Sequence, residues 1–315
     1  MRARLYYKLF FSFNLLMFLC LVSKSGFSQE ERLKNQRCAT RLSISLLGES
    51  PSSELYNSAN PQSATDSMLK DDLFNRRFSR FLNAAFNEEP GANRLQDAPY
   101  FIAYHVLSNN EPYKNIFIGP YNLSRSEESN EIVVSIDPDG LGYFRIGAWM
   151  DRYAGNESEG YRLITAYQML NNVLGTKMVA TTNAPNADTS AEGRKSPACS
   201  ACHYDSWFAL DHIASVLSRV ERDADMNISY VPVDDSLKPV LGGFMVKNDK
   251  ELIQAMVDSQ DFAFNACRLS FKFLYGRKEN KGEASIFDQC MTSFKSSGLI
   301  QDALAVIAKD KAFCE

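Results

Sequence analysis

The chain has 315 residues, of which 45% are hydrophobic, and a formal net charge of −4. This length and composition are typical of one large or two ordinary globular domains and exclude a disordered chain. The negative charge argues against a polyanion such as nucleic acid as a partner.

The amino-terminal segment has the pattern of an export signal. Arg2, Arg4 and Lys8 precede an apolar run over residues 9–22, and small residues follow it. This predicts a cleavable secretory signal over residues 1–28 and an exported protein of the periplasm or bacterial envelope. The run is shorter than the ~20 residues that span a bilayer, so a membrane anchor is the disfavoured alternative. Removing residues 1–28 takes away four basic residues and no acidic one, which changes the net charge from −4 to −8.

The next part of the chain carries mostly helical patterns. Residues 38–48 fit either a short helix or a strand. Residues 67–86 have apolar positions at helical spacing with arginines on another face, which predicts an amphipathic helix. Residues 141–152 and 161–174 predict two more helices, and Gly175 stands where a helix commonly ends.

Weaker patterns complete this amino-terminal part. Residues 115–121 and 131–136 are rich in β-branched and aromatic side chains and are candidates for short strands, with extended loop as the alternative. Residues 181–197 have almost nothing to bury and predict a linker. We therefore expect a helical amino-terminal region over residues 29–180 and a second domain over residues 198–315.

The carboxy-terminal part is expected to be all-α. Asn248 and Glu251 form a capping-box pattern at the start of a helix. An apolar stripe continues to Gly276, and residues 286–294 and 299–307 predict two shorter helices. The predicted fold class is therefore mainly α, with a helical amino-terminal region and an all-α domain of the cytochrome c kind.

The strongest motif is C-x-x-C-H, at Cys199, Cys202 and His203. In covalent c-type haem attachment, each cysteine adds to a haem vinyl group and the histidine binds the iron as proximal ligand. A zinc site would require four ligands, and no second close pair is present. A redox dithiol would require a strand–helix context that the surrounding pattern lacks. A structural disulfide between Cys199 and Cys202 stays open as an alternative.

The ligand opposite His203 is less strongly indicated. Met245 lies in a glycine-bearing segment before a long helix, an order that resembles small class I cytochromes c. A thioether ligand would raise the haem potential and favour electron transfer, so Met245 is the preferred distal ligand. His105, Met226 and an iron left open are the alternatives. His212 follows His203 too closely to reach the other face of the iron.

Four cysteines remain after the signal and the motif are set aside, and export favours disulfides. A helix pair folded at residues 276–283 would bring Cys267 and Cys290 to the same level, which leaves Cys38 to pair with Cys314. Buried free thiols are the alternative.

Several short sequences resemble a known family. His203 is followed by Asp205 and by Phe208-Ala209-Leu210-Asp211, and Tyr275-Gly276-Arg277 stands further along the chain. These residues resemble the planctomycete-type cytochrome c proteins, which are large secreted bacterial chains of unknown function. The turn between the histidine and the phenylalanine is shorter here than in that family. The resemblance implies one covalent haem c and an envelope location but no settled reaction.

Together these patterns predict an exported monohaem c-type cytochrome that transfers single electrons to or from a redox protein or an envelope complex. One alternative is a peroxidase-like haem enzyme whose open distal side faces His105 or arginines of the amino-terminal region. Another is a structural or interaction protein of the envelope that the haem holds together. No H-E-x-x-H, G-x-S-x-G or P-loop motif is present, so electron transfer is favoured over catalysis.

Overall fold

Helices dominate the structure, a computed structural model that describes residues 29–91, 95–153, 162–178, 188–224, 228–231, 233–234 and 236–315. The predicted signal at residues 1–28 lies outside the described residues. No helix in the described ranges is both long enough and apolar enough to cross a membrane. The helices before residue 180 are α1 (Gln29–Leu46), α2 (Ser53–Tyr56), α3 (Thr65–Met68), α4 (Asp72–Phe86), α5 (Ala98–Ser108), α6 (Asn115–Ile118), α7 (Gly147–Arg152) and α8 (Leu163–Leu174).

One antiparallel hairpin interrupts these helices. Strand β1 (Tyr121–Arg125) pairs with β2 (Ile132–Ile136), with Leu123 opposite Val134. The prediction of a strand over residues 115–121 is wrong for its first part, because residues 115–118 form α6. Helix α6 ends at Gly119, which is extended because it precedes a proline.

Two predicted helices are shorter than their apolar patterns. The pattern at residues 67–86 divides into α3 and α4, because the Asp71 side chain accepts a hydrogen bond from the Leu73 amide and starts a new helix. The pattern at residues 141–152 yields only α7. Gly142 has φ +49°, and a β carbon there would meet the Ile116 carbonyl oxygen, so the chain turns at this point. Helix α8 ends as predicted, with Gly175 in the left-handed conformation.

The carboxy-terminal part combines helices with two further hairpins. Its helices are α9 (Ala191–Arg194), α10 (Leu210–Ala214), α11 (Asp249–Val257), α12 (Gln260–Tyr275), α13 (Ala284–Ser297) and α14 (Ile300–Lys309), with a π-helical turn at Ala201–Asp205. Strand β3 (Arg219–Arg222) pairs with β4 (Ile228–Val231), and β5 (Lys238–Val240) pairs with β6 (Phe244–Val246).

The expectation of an all-α region over residues 198–315 is therefore wrong, although the chain as a whole is mainly helical. The strands have only three or four residues each, which is too short for an alternating pattern to stand out. Gly242 and Gly243 have φ values of +76° and +127°, and they let the chain reverse between β5 and β6.

One hydrophobic core joins the two parts of the chain. The Phe273 ring of α12 packs against the rings of Phe74, Phe78 and Phe81 in α4, with centroids 4.9–6.1 Å apart. The expected linker lies partly outside the described residues, and its described part contains α9. In that part Arg194 is buried, so at least this residue is held by the rest of the fold.

Two disulfides connect the described elements. Cys38 of α1 is bonded to Cys314, and Cys267 of α12 is bonded to Cys290 of α13. These are the two pairs that the sequence favours. Disulfides persist in oxidising compartments, so they fit an exported protein.

Candidate functional site

The C-x-x-C-H motif forms one tight turn of the backbone. The amides of Cys202 and His203 both donate to the carbonyl oxygen of Cys199, at 3.2 Å. Cys199 and Cys202 form no disulfide, and both are partly exposed. The turn therefore keeps two free thiols and an imidazole together at the surface.

A buried carboxylate contacts the histidine of this turn. His203 Nδ1 lies 2.6 Å from Oδ2 of Asp211, which belongs to α10. The chain reverses direction between the two residues at Ala209, which has φ +32° and precedes α10. Its amide donates to the Ser206 hydroxyl, which supports the turn. This reversal brings Asp211 back against the imidazole.

Asp211 is held from its other side by two neighbours. Nε and Nη2 of Arg194 donate to Oδ1 of Asp211 at 3.0 and 2.8 Å, and the Tyr204 hydroxyl donates to the same oxygen at 3.1 Å. Burial by itself would raise the pKa of Asp211. The hydrogen bonds from His203 and Arg194 outweigh burial and hold that pKa below its usual range. The ionised Asp211 carboxylate therefore binds His203 through one oxygen and Arg194 through the other.

This arrangement distinguishes the two nitrogens of His203. Nδ1 is engaged by Asp211, whereas Nε2 makes no hydrogen bond among the described residues. The His203 side chain is 22% exposed, so the ring is not enclosed. Nε2 is therefore the nitrogen that is free to bind a metal.

Exposed apolar side chains lie on two neighbouring segments beside the motif. Trp207 is 46% exposed, and Phe244 and Met245 on β6 are each 53% exposed. The tip of the β5–β6 hairpin approaches the segment after the motif, since a β carbon at Gly242 would lie 3.8 Å from the Trp207 β carbon. Lys238 of the same hairpin donates to the Ser215 carbonyl at 3.1 Å. Met245 thus lies on a hairpin that packs near the motif.

The described residues contain no group of three or more His, Cys, Asp and Glu side chains arranged to hold a metal ion. A structural zinc ion would need four protein ligands. A haem would need fewer ligands from the protein, because the porphyrin nitrogens would also bind its iron.

The two remaining histidines each lie beside a tyrosine ring. His105 Nε2 lies 3.7 Å from Glu111 Oε1, and the ring packs edge-on against Tyr121. His212 is exposed, with its ring centroid 5.9 Å from that of Tyr204. Met226 lies outside the described residues.

The roles of Arg194, Tyr204 and Asp211 were not predicted from the sequence. Asp211 is singled out only through the family resemblance, and Arg194 stands in a polar segment interpreted as a linker. One sequence feature could have indicated Asp211, because this acidic residue stands eight positions after the histidine, on the next helix. Its direction toward the imidazole depends on the turn at Ala209.

Comparison of the chain with protein-family models, with curated proteins and with solved structures gave no match.

Proposed function

We propose that this chain is an exported c-type cytochrome that carries one covalently attached haem c and transfers single electrons. The observation that carries the proposal is the tight turn with two free thiols, whose histidine is anchored through Nδ1 to a buried carboxylate. A metal-ligating histidine commonly donates its other ring N–H to such a group.

The residues fit the group. Cys199 and Cys202 would form the thioether bonds, and His203 would bind the iron through Nε2. Trp207 and Phe244 offer exposed apolar surface that a flat macrocycle would cover. When bound, the haem supplies an iron that changes its oxidation state by one electron.

Met245 is the proposed distal ligand, because it lies on the hairpin beside the motif and its thioether would favour electron transfer. Its 53% exposure also favours a second candidate function, a peroxidase-like haem enzyme with an open distal site. The two candidates differ in whether a sixth ligand is in place.

Membership of the planctomycete-type cytochrome c family is part of this proposal. It is supported by Phe208-Ala209-Leu210-Asp211 after the motif. The two disulfides and the predicted signal support a periplasmic or envelope location. The electron would come from, and pass to, a redox protein or an envelope complex in the same compartment.

The first test is the mass of the protein purified from a host that attaches haem c. We expect the wild type to carry the added mass of one haem. The Cys199→Ala, Cys202→Ala double variant should lose it while keeping both disulfides. A wild type without haem, from a host that loads a control cytochrome, would overturn the proposal.

The second test separates the two candidate functions. A ferrous spectrum typical of six-coordinate low-spin haem, unchanged by carbon monoxide, would support electron transfer with Met245 in place. Ready binding of carbon monoxide or peroxide would instead support the enzyme.

A further inference from the structure

We infer that Asp211 is a positioning residue that orients His203 for the iron and lowers the reduction potential of the haem, and that Arg194 moderates this effect. The inference rests on the proposed function, since it concerns the same haem. It assigns a role to a pair of buried charges that the attachment chemistry does not require.

The orientation follows from the way the carboxylate is shared. Oδ2 of Asp211 lies 2.6 Å from His203 Nδ1, while Oδ1 accepts hydrogen bonds from Arg194 and Tyr204. An ionised carboxylate only accepts hydrogen bonds, so Nδ1 must carry the proton. Nε2 is then the basic nitrogen, with its lone pair available to iron.

The charge effect follows from burial. Asp211 is 5% exposed and Arg194 is 4% exposed, so water screens neither charge well. A negative charge against the imidazole makes the ligand a better donor and stabilises the ferric iron more than the ferrous iron. The Arg194 guanidinium attracts the same charge from the other side and therefore weakens the effect.

The two residues should therefore shift the potential in opposite directions. Asp211→Asn keeps an oxygen that can accept from Nδ1 but removes the charge, so the potential should rise. Arg194→Met leaves the carboxylate to His203 and Tyr204, so the potential should fall. A role limited to stability would give no such pair of opposite shifts.

The experiment is a redox titration of the haem-loaded protein and these variants. We expect Asp211→Asn to favour the ferrous form by about tenfold in the equilibrium constant, which is about 59 mV for a one-electron couple. Asp211→Glu keeps the charge and should restore most of the wild-type potential. Tyr204→Phe is the matched control, since it removes a neutral hydrogen bond to the other oxygen, and its shift should be much smaller.

The outcomes separate this inference from the proposed function. A wild type without haem overturns the proposed function and the inference with it. A haem-loaded Asp211→Asn protein with the wild-type potential overturns the inference alone. Changing Asp211 should leave the haem attached, because the two cysteines would hold it covalently. If Asp211→Asn does not fold, the sign of the Arg194→Met shift decides, and an unchanged or higher potential overturns the inference.

Discussion

The guanidinium of Arg145 lies 2.8 Å from the carboxylate of Asp249, and both side chains are buried. Arg145 stands in the turn before α7, and Asp249 is the first residue of α11, 104 positions later. Arg145 also donates to the Ser218 hydroxyl at 3.3 Å. The pair therefore ties the amino-terminal helical region to the carboxy-terminal region inside the protein.

Removing one partner of this pair should destabilise the fold strongly. Arg145→Met would leave the Asp249 carboxylate buried without its cation, and we expect a loss of about 3–5 kcal/mol in the free energy of unfolding. Urea denaturation followed by circular dichroism measures it. Lys34→Met is the matched control, because Lys34 pairs with Glu315 at the exposed surface and its replacement should reduce the free energy of unfolding far less. Equal losses in the two variants would contradict the assignment of Arg145 and Asp249 as a buried pair.

The two disulfides should contribute unequally to stability. The bond between Cys38 and Cys314 spans 276 positions, and that between Cys267 and Cys290 spans 23. Because a longer closed loop restricts the unfolded chain more, double serine variants should lose about 5 and about 3 kcal/mol respectively. Denaturation of each variant with the other disulfide intact provides the measurement. The reverse order would show that loop entropy does not dominate.

The loop between α12 and α13 should add a pH-dependent contribution. Arg277 donates two hydrogen bonds to Glu283, at 2.6 and 2.8 Å, and these lower the pKa of Glu283. A carboxyl with a lowered folded-state pKa stabilises the protein above its unfolded pKa, and this stability is lost as the pH falls through the folded value.

Glu283→Gln should therefore lower the denaturation midpoint at pH 7, and the difference from wild type should shrink as the pH falls through the lowered folded-state pKa of Glu283. The control is Glu127→Gln, an exposed residue of the turn between β1 and β2. A difference at Glu283 that stays constant with pH would rule out the ionised pair as its source.

Met245 provides a prediction about the other face of the proposed haem. If its thioether completes the coordination, Met245→Ala should make the ferrous protein bind carbon monoxide and should lower its potential. Leu237→Ala, which removes an apolar side chain of similar exposure just before β5, should leave carbon monoxide binding unchanged. Absorbance spectra under carbon monoxide distinguish the two variants. Identical spectra for wild type and Met245→Ala would exclude Met245 as the ligand.

The sequence was most informative where a pattern is local. Helix α8 and its end at Gly175, helix α11 behind Asn248, and the helix pair α12 and α13 follow from apolar spacing and capping residues. The helix pair in turn favours the Cys267–Cys290 disulfide, because two helices joined by a short loop fix the relative height of their residues. The C-x-x-C-H motif is likewise confined to five consecutive positions.

Tertiary structure decided the contacts that join distant positions. Asp211 belongs to the short helix α10, and the left-handed turn at Ala209 directs it to His203, while packing buries Arg194 against it. The Arg145–Asp249 pair is likewise absent from any local pattern. Spacing along the chain determines which side chains share a helix face. Which faces meet, and therefore which charges are buried together behind the histidine, depends on how the whole core packs.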